Sequence, residues 1–457
     1  MFELSKAASA INAIHLGKNV HVNRVTCDSR SVRQGDLFVA LKGQRFDAHK
    51  FVGDAFESGA VAAMVHRGWQ GNFQQPLLVV DDDTRLGFGK LAAWWRKKFK
   101  IPVIAVTGSN GKTTVKEMIT AILRNCDGEE TVLATAGNLN NDIGVPITLV
   151  QIRECHKYAV IEMGMNNRGE IEYLSGITSP TMGLITNAGS AHIGNLGSIS
   201  EVAKAKGELV DGLTTGSKII LNLDDPSVGR WKKQAKGLSV VGFGFNDFSD
   251  VSATFDLQNN RSEVDMLVFG KPCKINLNVP GIHNVRNAMA AAAVCSSLGI
   301  SNKDISVGLE KYVGVAGRLR LIDLPGNIRL YDDSYNANPD SMKAALTVFS
   351  GLEGLKFFIM GDMGELGGDS SELHKDIGGF AKEIGVDRLF GFGEAVAFSV
   401  EGFGGKSNQY FSKKDLLQDL IMVLQPGVNI LVKGSRSCRL ETLVSDIVGF
   451  CGLNFSE

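Results

Sequence analysis

A glycine-rich turn between an apolar segment and a helical pattern constrains the fold of this chain more than any other feature. Residues 101–107 (IPVIAVT) are apolar and rich in β-branched side chains, which is typical of a strand buried on both faces of a sheet. Residues 112–124 then place apolar side chains at helical spacing, namely Val115, Met118, Ile119, Ile122 and Leu123. A strand followed in this way by a helix predicts a parallel sheet covered by helices.

The turn itself contains the residues of a phosphate-binding loop, Gly108-Ser109-Asn110-Gly111-Lys112-Thr113-Thr114. Glycines allow several backbone N–H groups to point at anionic oxygens, and the helix N-terminus adds partial positive charge. Lys112 is expected to reach the β- and γ-phosphates of a nucleotide, and Thr113 to ligate magnesium. The general pattern would begin with glycine at position 106, where this chain has Val106, so the loop is a shortened form. A tight turn without a ligand is the alternative, and the flanking strand and helix argue against it.

Chain length and the order of the sequence patterns predict three domains. The 457 residues are too many for one hydrophobic core, and strand, turn and helix alternate along most of them. We predict an α/β fold with a small N-terminal α/β domain (residues 1–83), a central phosphate-loop domain with a parallel sheet (84–317) and a C-terminal Rossmann-like α/β domain (318–457). Further strands are predicted near residues 36–41, 60–66, 77–80, 158–163, 181–186, 218–223, 238–243, 328–332, 356–360, 388–392 and 429–432.

Composition excludes several classes of protein. The 48 basic and 49 acidic residues give a formal net charge of −1, which argues against a nucleic-acid-binding protein. The seven cysteines are scattered and never spaced as Cys-x-x-Cys, so neither a disulfide framework nor a zinc site is expected. No apolar stretch is long enough to span a bilayer, and the N-terminus lacks the apolar core of a signal peptide. We therefore expect a cytoplasmic protein with no nucleic-acid partner and no membrane insertion.

Two further polar residues follow segments that are predicted to be strands. Glu162 lies at the end of segment 158–163, and His192 follows segment 181–186. Because ligands collect at the carboxyl ends of parallel strands, both residues are expected to face the same crevice as the phosphate loop. Carboxylate and hydroxyl oxygens suit magnesium, and a neutral imidazole can complete a second metal site. Taken singly, Glu162 can pair with Lys112 and His192 can cap a loop, but their joint occurrence favours chemistry.

A helix is predicted to start within residues 200–206 (SEVAKAK). Ser200 has the residue type of an N-cap, and Lys204 is expected near the first turn. From the residues alone, Lys204 and Lys206 are both expected on the solvated surface.

These features together resemble the Mur ligase family, the ATP-dependent amide ligases that build the stem peptide of peptidoglycan. The resemblance covers nearly the whole chain and includes the family's shortened Gly-x-x-Gly-Lys-Thr loop. It implies that Lys112, Glu162, His192 and Lys204 are catalytic, and that two magnesium ions are held by Thr113, Glu162, His192 and Lys204. Lys204 would carry a carbamate as an anionic metal ligand, with Lys206 as the alternative. The implied ATP site comprises residues 108–114 together with Asn284 beside the adenine, Arg318, and Asp333 through the ribose.

Other segments resemble those of the family member that adds D-alanyl-D-alanine to UDP-N-acetylmuramoyl tripeptide. They are residues 28–30 (DSR), 35–41 (GDLFVAL), 46–49 (FDAH), 135–141 (TAGNLNN), 164–171 (GMNNRGEI), 332–340 (DDSYNANPD) and 361–367 (GDMGELG). By this resemblance the substrate-binding residues are Ser29, Arg30, Thr135, Asn138, Asn140 and Arg168. The implied partners are ATP, the UDP-linked tripeptide and the dipeptide, and the protein is expected to act as a monomer. Residues 433–436 (KGSR) are expected to face the cleft, where their basic side chains could meet an acidic group of the substrate, although a plain turn explains Lys433 equally well.

Several alternative functions remain open from the sequence. A Mur-type ligase that adds a single amino acid, or a folate-polyglutamylating relative, would keep the chemistry and change the amine. A phosphate-loop kinase would account for residues 101–124 but not for the first and third domains. A nucleotide-gated binding module would not need Glu162, His192 and Lys204 at one edge. The ligase hypothesis implies an acyl-phosphate intermediate, protected from water by closure at hinges near residues 83 and 317.

Overall fold

The structure is a computed structural model that describes residues 1–43, 46–71, 74–81, 83–191, 193–258 and 261–454. Three main sheets follow one another along the chain, and each is flanked by helices, as an α/β fold requires. The predicted domain boundaries at 83/84 and 317/318 fall in the connections between the sheets. No helix in the described ranges is long and apolar enough to cross a membrane.

The N-terminal region contains a small mixed sheet. In chain order its elements are β1 (Phe2–Glu3), α1 (Leu4–Ile11), β2 (Ile14–Leu16), β3 (His21–Val22), β4 (Arg24–Thr26), β5 (Asp36–Val39), α2 (Val52–Glu57), β6 (Ala62–His66) and β7 (Leu77–Val80), with 3₁₀ helices at Ser29–Ser31 and Ala48–Phe51. β1 pairs with β3, and the other strands form a sheet in the order β2-β7-β6-β5-β4 that is antiparallel only between β2 and β7.

Helix α3 (Thr84–Arg96) connects this sheet to the rest of the molecule. The Asp83 side chain accepts a hydrogen bond from the Arg85 N–H and caps the helix. One apolar cluster runs from Phe2 in the first region through Trp95 on α3 to Ile161 in the central sheet. The N-terminal and central regions are therefore joined by a shared hydrophobic core.

The central region contains a nine-stranded sheet. Its elements are β8 (Val103–Thr107), α4 (Lys112–Asp127), β9 (Val132–Ala134), α5 (Gly144–Leu149), β10 (Tyr158–Glu162), α6 (Glu170–Thr178), β11 (Met182–Ile185), α7 (Ile193–Leu196), α8 (Ile199–Asp211), β12 (Lys218–Asn222), α9 (Val228–Gln234), β13 (Ser239–Phe243), β14 (Val251–Leu257), β15 (Ser262–Val268), β16 (Lys271–Leu277), α10 (Ile282–Ser297) and α11 (Asn302–Glu310). The strand order is β16-β15-β14-β13-β12-β11-β8-β10-β9, parallel from β9 to β14 and antiparallel beyond.

The position of β8 in this order decides where a ligand can bind. β8 pairs with β10 on one side and with β11 on the other, so the chain changes direction across the sheet at this strand. All five residues of β8 are buried, as predicted for a strand covered on both faces. A reversal of strand order leaves a crevice at the carboxyl ends of the strands, and in this sheet that crevice lies beside the phosphate loop.

The C-terminal region contains a six-stranded sheet. Its elements are β17 (Arg320–Leu324), β18 (Ile328–Asp333), α12 (Pro339–Ser350), β19 (Lys356–Gly361), α13 (Ser370–Glu383), β20 (Arg388–Phe392), α14 (Val396–Phe403), β21 (Ser407–Tyr410), α15 (Lys413–Val423), β22 (Asn429–Lys433) and α16 (Glu441–Asn454). The order is β17-β18-β22-β19-β20-β21, with only the β17–β18 pair antiparallel.

The start of helix α8 differs from the sequence prediction. Its N-cap is Ser198, whose side chain accepts a hydrogen bond from the Glu201 N–H, and Ser200 lies inside the helix. Ser200 as cap was wrong because a glycine at 197 with φ of 87° allows the turn to end two residues earlier.

A glycine at a helix contact gives a test of the C-terminal packing. A Cβ at Gly378 on α13 would lie 2.0 Å from the Ser399 backbone oxygen on α14, whereas one at Gly379 would meet only the Gly402 oxygen at 3.9 Å. Gly378→Ala should destabilise this region by about 1–3 kcal/mol through overpacking. Gly379→Ala should be neutral or stabilising by up to about 1 kcal/mol because alanine is the better helix former. Urea unfolding of both variants checks this, and equal stability of the two would contradict it.

Candidate active site

The phosphate loop is held in a conformation that glycine permits. Gly108 and Gly111 have φ values of 150° and 81°, and Gly111 precedes the first turn of α4. A Cβ at Gly108 would lie 1.9 Å from the Thr186 hydroxyl, and one at Gly111 would lie 2.5 Å from the Asn287 side chain. Gly108 is therefore required by close approach as well as by backbone conformation, and Gly111 by its backbone conformation.

The loop that follows β11 holds the phosphate loop in place. The Asn110 N–H donates to the Asn187 side-chain oxygen at 2.9 Å, and the Ser109 N–H donates to the Asn187 carbonyl at 3.0 Å. The Thr186 hydroxyl donates to the Asn110 carbonyl at 2.6 Å, and the Gly189 N–H donates to the Ser109 hydroxyl at 2.9 Å. These bonds preorganise the loop before any nucleotide arrives.

Lys112 lies inside this loop. Its Nζ donates to the carbonyls of Gly108 at 2.6 Å and Ser109 at 3.1 Å. Burial lowers the pKa of Lys112 to about 8, against the opposing effect of the Glu162 carboxylate. Incoming phosphate oxygens would restore a fully charged ammonium, which is the form that binds them.

Glu162 lies at the carboxyl end of β10, where it is paired in register with Val106 of β8. It is buried, its Oε1 accepts from the Asn140 amide at 2.8 Å, and its backbone N–H donates to the Thr135 hydroxyl at 2.9 Å. Its Oε2 is also buried and has no hydrogen-bond partner among the described residues. A buried carboxylate oxygen without a partner is suited to a cation.

Behind Glu162 lies a buried lysine that the sequence patterns did not single out. Lys116 of α4 is fully buried, and its Nζ donates to the Thr135 carbonyl at 2.6 Å and pairs with Glu117 at 2.6 Å. Lys116 thus connects the phosphate-loop helix to the segment that supports Glu162. Lys116 lies on the apolar face of the amphipathic helix α4, and this position could have identified it from the sequence.

The two lysines of α8 differ in their surroundings. The Lys204 side chain is 43% exposed and pairs with Glu201 at 2.5 Å, whereas Lys206 is 0% exposed. The Lys206 Nζ has no hydrogen-bond partner in the described part of the chain. Burial lowers the pKa of Lys206 well below its usual range, and the nearby Lys112 ammonium lowers it further. The expectation of a surface position is therefore wrong for Lys206, because this residue lies on the buried face of α8.

His192 lies outside the described residues. Within those residues no group of three or more histidine, cysteine, aspartate or glutamate side chains converges as a metal site. Thr113 lies at the start of α4, where its hydroxyl accepts from the Arg318 guanidinium at 3.3 Å, and Thr114 is buried beside it.

The central and C-terminal regions enclose a cleft of about 760 Å³. Its lining includes phosphate-loop residues 109–112 and Thr114, Glu162, Asn284, Arg318 and Asp333. The Asn284 amide donates to the Pro280 carbonyl at 2.8 Å. The Asp333 carboxylate pairs with Lys433 at 2.6 Å and accepts from the Leu319 N–H at 3.0 Å. Burial raises the pKa of Asp333, and Lys433 opposes this shift.

Polar contacts join the C-terminal region to the phosphate loop and to the loop after β11. The Asn338 amide donates to the Asn110 side-chain oxygen at 2.8 Å. The Asp340 carboxylate accepts from both the backbone N–H and the hydroxyl of Ser190 at 2.7 Å. Asn338 also forms a capping box with Ser341 at the start of α12, which fixes its orientation.

The predicted substrate residues lie in three separate places. Thr135 and Asn140 support Glu162, and Asn140 lines the cleft. Arg168 is exposed and pairs with Glu201, and Asn138 is exposed on the loop before α5. Ser29 and Arg30 lie in the 3₁₀ helix Ser29–Ser31 of the N-terminal region and do not line the cleft. Their roles stay predictions.

Comparisons with known proteins agree with this geometry. Family models match residues 21–83 (Mur ligase family, catalytic domain), 106–295 (Mur ligase middle domain) and 317–436 (Mur ligase, glutamate ligase domain). A curated protein of Escherichia coli K12 named UDP-N-acetylmuramoyl-tripeptide--D-alanyl-D-alanine ligase is 40% identical over 96% of this chain and 97% of its own length. The chain belongs to the Mur ligase family.

Solved structures support the same assignment within the Mur ligases. MurF from Acinetobacter baumannii matches with a TM-score of 0.91 and 35% identity, covering 98% of this chain and 99% of the other. MurF from Thermotoga maritima in complex with ADP matches with a TM-score of 0.82 and 26% identity, covering 92% and 96%. The predicted resemblance to a Mur ligase, and most closely to MurF, is confirmed.

A buried histidine of this Mur ligase is expected to make the stability of the C-terminal region depend on pH. The His374 Nε2 accepts from the Met363 N–H at 3.0 Å, and its Nδ1 donates to the Ser370 carbonyl at 2.7 Å. Burial lowers the pKa of His374 below its usual range. The unfolded chain, with a histidine pKa of about 6.5, therefore binds more protons, and stability should decrease as pH falls below about 6.5.

Urea unfolding between pH 5 and 8 measures this effect in the wild type and in His374→Gln. Glutamine retains an acceptor for the Met363 N–H and cannot titrate, so part of the acid-induced loss of stability should disappear in the variant. The same slope of stability against pH in both proteins would contradict the assignment.

Proposed function

We propose that this Mur ligase joins D-alanyl-D-alanine to UDP-N-acetylmuramoyl tripeptide at the expense of ATP, giving the pentapeptide, ADP and phosphate. The observation that carries this proposal is that the phosphate loop, Glu162 and residues of the C-terminal segment 333–340 line the same cleft. The names of the relatives and the ADP complex of a homologous MurF support the choice of substrates. A phosphate-loop kinase would account for residues 101–124 but not for the Mur ligase models that match residues 21–83 and 317–436.

The chemistry follows from the need to activate a carboxylate. The tripeptide carboxylate attacks the γ-phosphorus, which gives an acyl phosphate and ADP. The dipeptide amine then attacks the acyl carbon, and phosphate leaves from the tetrahedral intermediate. Negative charge increases on the transferred oxygens, so Lys112 and the backbone N–H groups in the first turn of α4 contribute chiefly by position and charge.

The residues of the cleft fit magnesium. Thr113 and Glu162 offer oxygen ligands, and the buried Glu162 Oε2 has no partner within the described ranges. Magnesium, when bound, would neutralise phosphate charge. His192 is proposed as a ligand from the family resemblance.

We propose Lys206, rather than Lys204, as the lysine that carries a carbamate. A neutral amine is the form that adds carbon dioxide, and Lys206 combines a lowered pKa with a buried Nζ that has no partner among the described residues. The anionic carbamate would replace an uncompensated buried amine by a metal ligand. Lys204 is paired with Glu201 on the exposed surface.

The first test measures phosphate release from ATP and magnesium with the UDP-linked tripeptide, with and without D-alanyl-D-alanine. We expect release to require both substrates and to yield a pentapeptide by mass. Lys112→Ala should reduce turnover by at least about 100-fold, since one charge-stabilising group is lost. Release that depends on another amine and not on the dipeptide would refute the proposed substrate.

The lysine assignment is tested with Lys206→Met and the matched variant Lys204→Met. After incubation with isotope-labelled bicarbonate, a carbamate NMR signal should persist in Lys204→Met and disappear in Lys206→Met. Activity should fall in Lys206→Met and return in part with short-chain carboxylates. A signal that disappears only in Lys204→Met would reverse the assignment.

The proposed site of action is the cytoplasm, where the nucleotide-linked substrate and ATP are available, and the protein is proposed to act as a monomer. Scattering and native mass measurements test the second point directly.

A further inference from the structure

The segment 433–436 presents two basic side chains of different character to the cleft. Lys433 ends β22, is 3% exposed, pairs with Asp333 at 2.6 Å and donates to the Asn336 carbonyl at 3.0 Å. Arg436 lies in the following 3₁₀ turn, and its side chain is 56% exposed. Lys433 is thus already neutralised within the C-terminal region, whereas Arg436 faces solvent in the cleft.

Arg436 differs from the other cations of the cleft. In the described chain these are Lys112, Arg286, Arg318 and Lys433, all of which are buried or half-buried. Arg286 lies near Asp224 at 3.6 Å. Lys112 and Arg318 contact the phosphate loop and its threonine. Arg436 is therefore the cleft cation with an exposed guanidinium and no contact to the phosphate loop.

The guanidinium of Arg436 retains donors for a ligand. Its Nη1 pairs with Glu441 at 2.9 Å, and the Glu441 side chain is 41% exposed. A surface ion pair of this kind contributes little to stability. The Nε and Nη2 of Arg436 donate to no other described residue. An arginine fork matches a carboxylate with two parallel hydrogen bonds, and a second carboxylate can share the group with Glu441.

The backbone under Arg436 is firmly held. The Ser435 N–H donates to the Asp362 carbonyl at 2.9 Å. A Cβ at Gly434 would lie 2.9 Å from the Gly361 Cα, so the two loops are in close contact. A guanidinium on a rigid support can select a ligand by length.

Arg436 and Arg318 both lie close to the ring of Tyr335. The guanidinium carbon of Arg318 lies 4.1 Å from the ring centroid and that of Arg436 lies 5.6 Å from it. Arg318 contacts Thr113 beside the phosphate loop, so Arg436 shares one aromatic ring with a residue at the site of phosphoryl transfer. A dipeptide spans at most about 7 Å from its amine to its carboxylate, and a single amino acid only half of that.

We propose that Arg436 binds the terminal carboxylate of the incoming dipeptide and thereby favours a dipeptide over a single amino acid as the amine substrate. This inference rests on the proposed function. The acidic group that meets the basic segment 433–436 is then the terminal carboxylate of the dipeptide, and the residue that binds it is Arg436 rather than Lys433.

The test crosses one change in the enzyme with one change in the substrate. Wild type and Arg436→Met are assayed with D-alanyl-D-alanine and with its neutral C-terminal amide. Arg436→Met should raise the KM for the dipeptide by about 10- to 100-fold, because a charge-assisted hydrogen bond is lost. Wild type should show a similar increase with the amide, and the variant should show no further increase with it.

The controls separate recognition from folding. Arg439→Met changes an arginine three residues away that does not line the cleft, and its KM values should match the wild type. Arg436→Lys keeps the charge and loses the fork, so its KM for the dipeptide should be intermediate. The KM for ATP should change less than about threefold in all variants, within the usual scatter of surface substitutions.

Two results would overturn the proposal. One is a wild type that uses the amide as well as the dipeptide, which needs no variant to fold. The other is an Arg436→Met enzyme whose KM rises equally for dipeptide and amide, since that pattern indicates a structural effect. A wild type that releases no phosphate with the dipeptide would instead refute the proposed function.

Discussion

The hydrogen-bonded contact between the phosphate loop and residues 186–190 is the constraint on which the site depends. Because β11 lies directly beside β8, the loop after β11 can donate and accept at Ser109 and Asn110 from one side. The Gly108 backbone approaches Thr186 so closely that no side chain fits. On the other side β10 brings Glu162 to the same edge. The strand order therefore fixes the phosphate loop and the carboxylate relative to each other.

The two junctions between the regions of the chain are physically different. At the first, Phe2, Trp95 and Ile161 belong to one apolar cluster, so separation of the N-terminal region would expose core residues. At the second, the contacts are polar, such as Asn338 with Asn110 and Asp340 with Ser190. Polar contacts can be exchanged for water at small net cost, so movement is expected near residue 317 rather than near residue 83.

Much of the fold could be predicted because buried parallel strands have a simple pattern. The predicted strand at 77–80 has the observed bounds, and that at 158–163 ends one residue later than β10. Strands β14–β16 were not predicted. The β15 residues alternate between buried and exposed positions, with Val264, Met266 and Val268 on the buried face, so the sequence carried the period-2 pattern of a half-buried strand and the prediction missed it. The phosphate loop and Glu162 could also be predicted, because each lies at the end of an apolar segment with the pattern of a buried strand.

The remaining site residues depend on information that local sequence does not carry. Lys206 is an exception, because it lies four residues after Val202 and three before Leu209, so the apolar spacing of α8 already places it on the buried face. Asn338 contacts Asn110 of the phosphate loop across 228 positions of chain, and Asp340 contacts Ser190 of the loop after β11 across 150, relations that only the packing of separate regions creates. Contacts of this length have no periodic signature.

The Mur ligase site carries polar groups that its own fold does not satisfy. The Lys206 Nζ and the Glu162 Oε2 are both buried and without hydrogen-bond partners among the described residues. Each such group costs about 1–3 kcal/mol, and the two do not neutralise each other by direct contact. A fold that stabilised only itself would pair them or replace them with apolar side chains. Their presence near Lys112, whose pKa is lowered to about 8, is explained if ligands supply the missing charge. The cost is then incurred during folding, so little reorganisation is left for the moment at which phosphate is transferred.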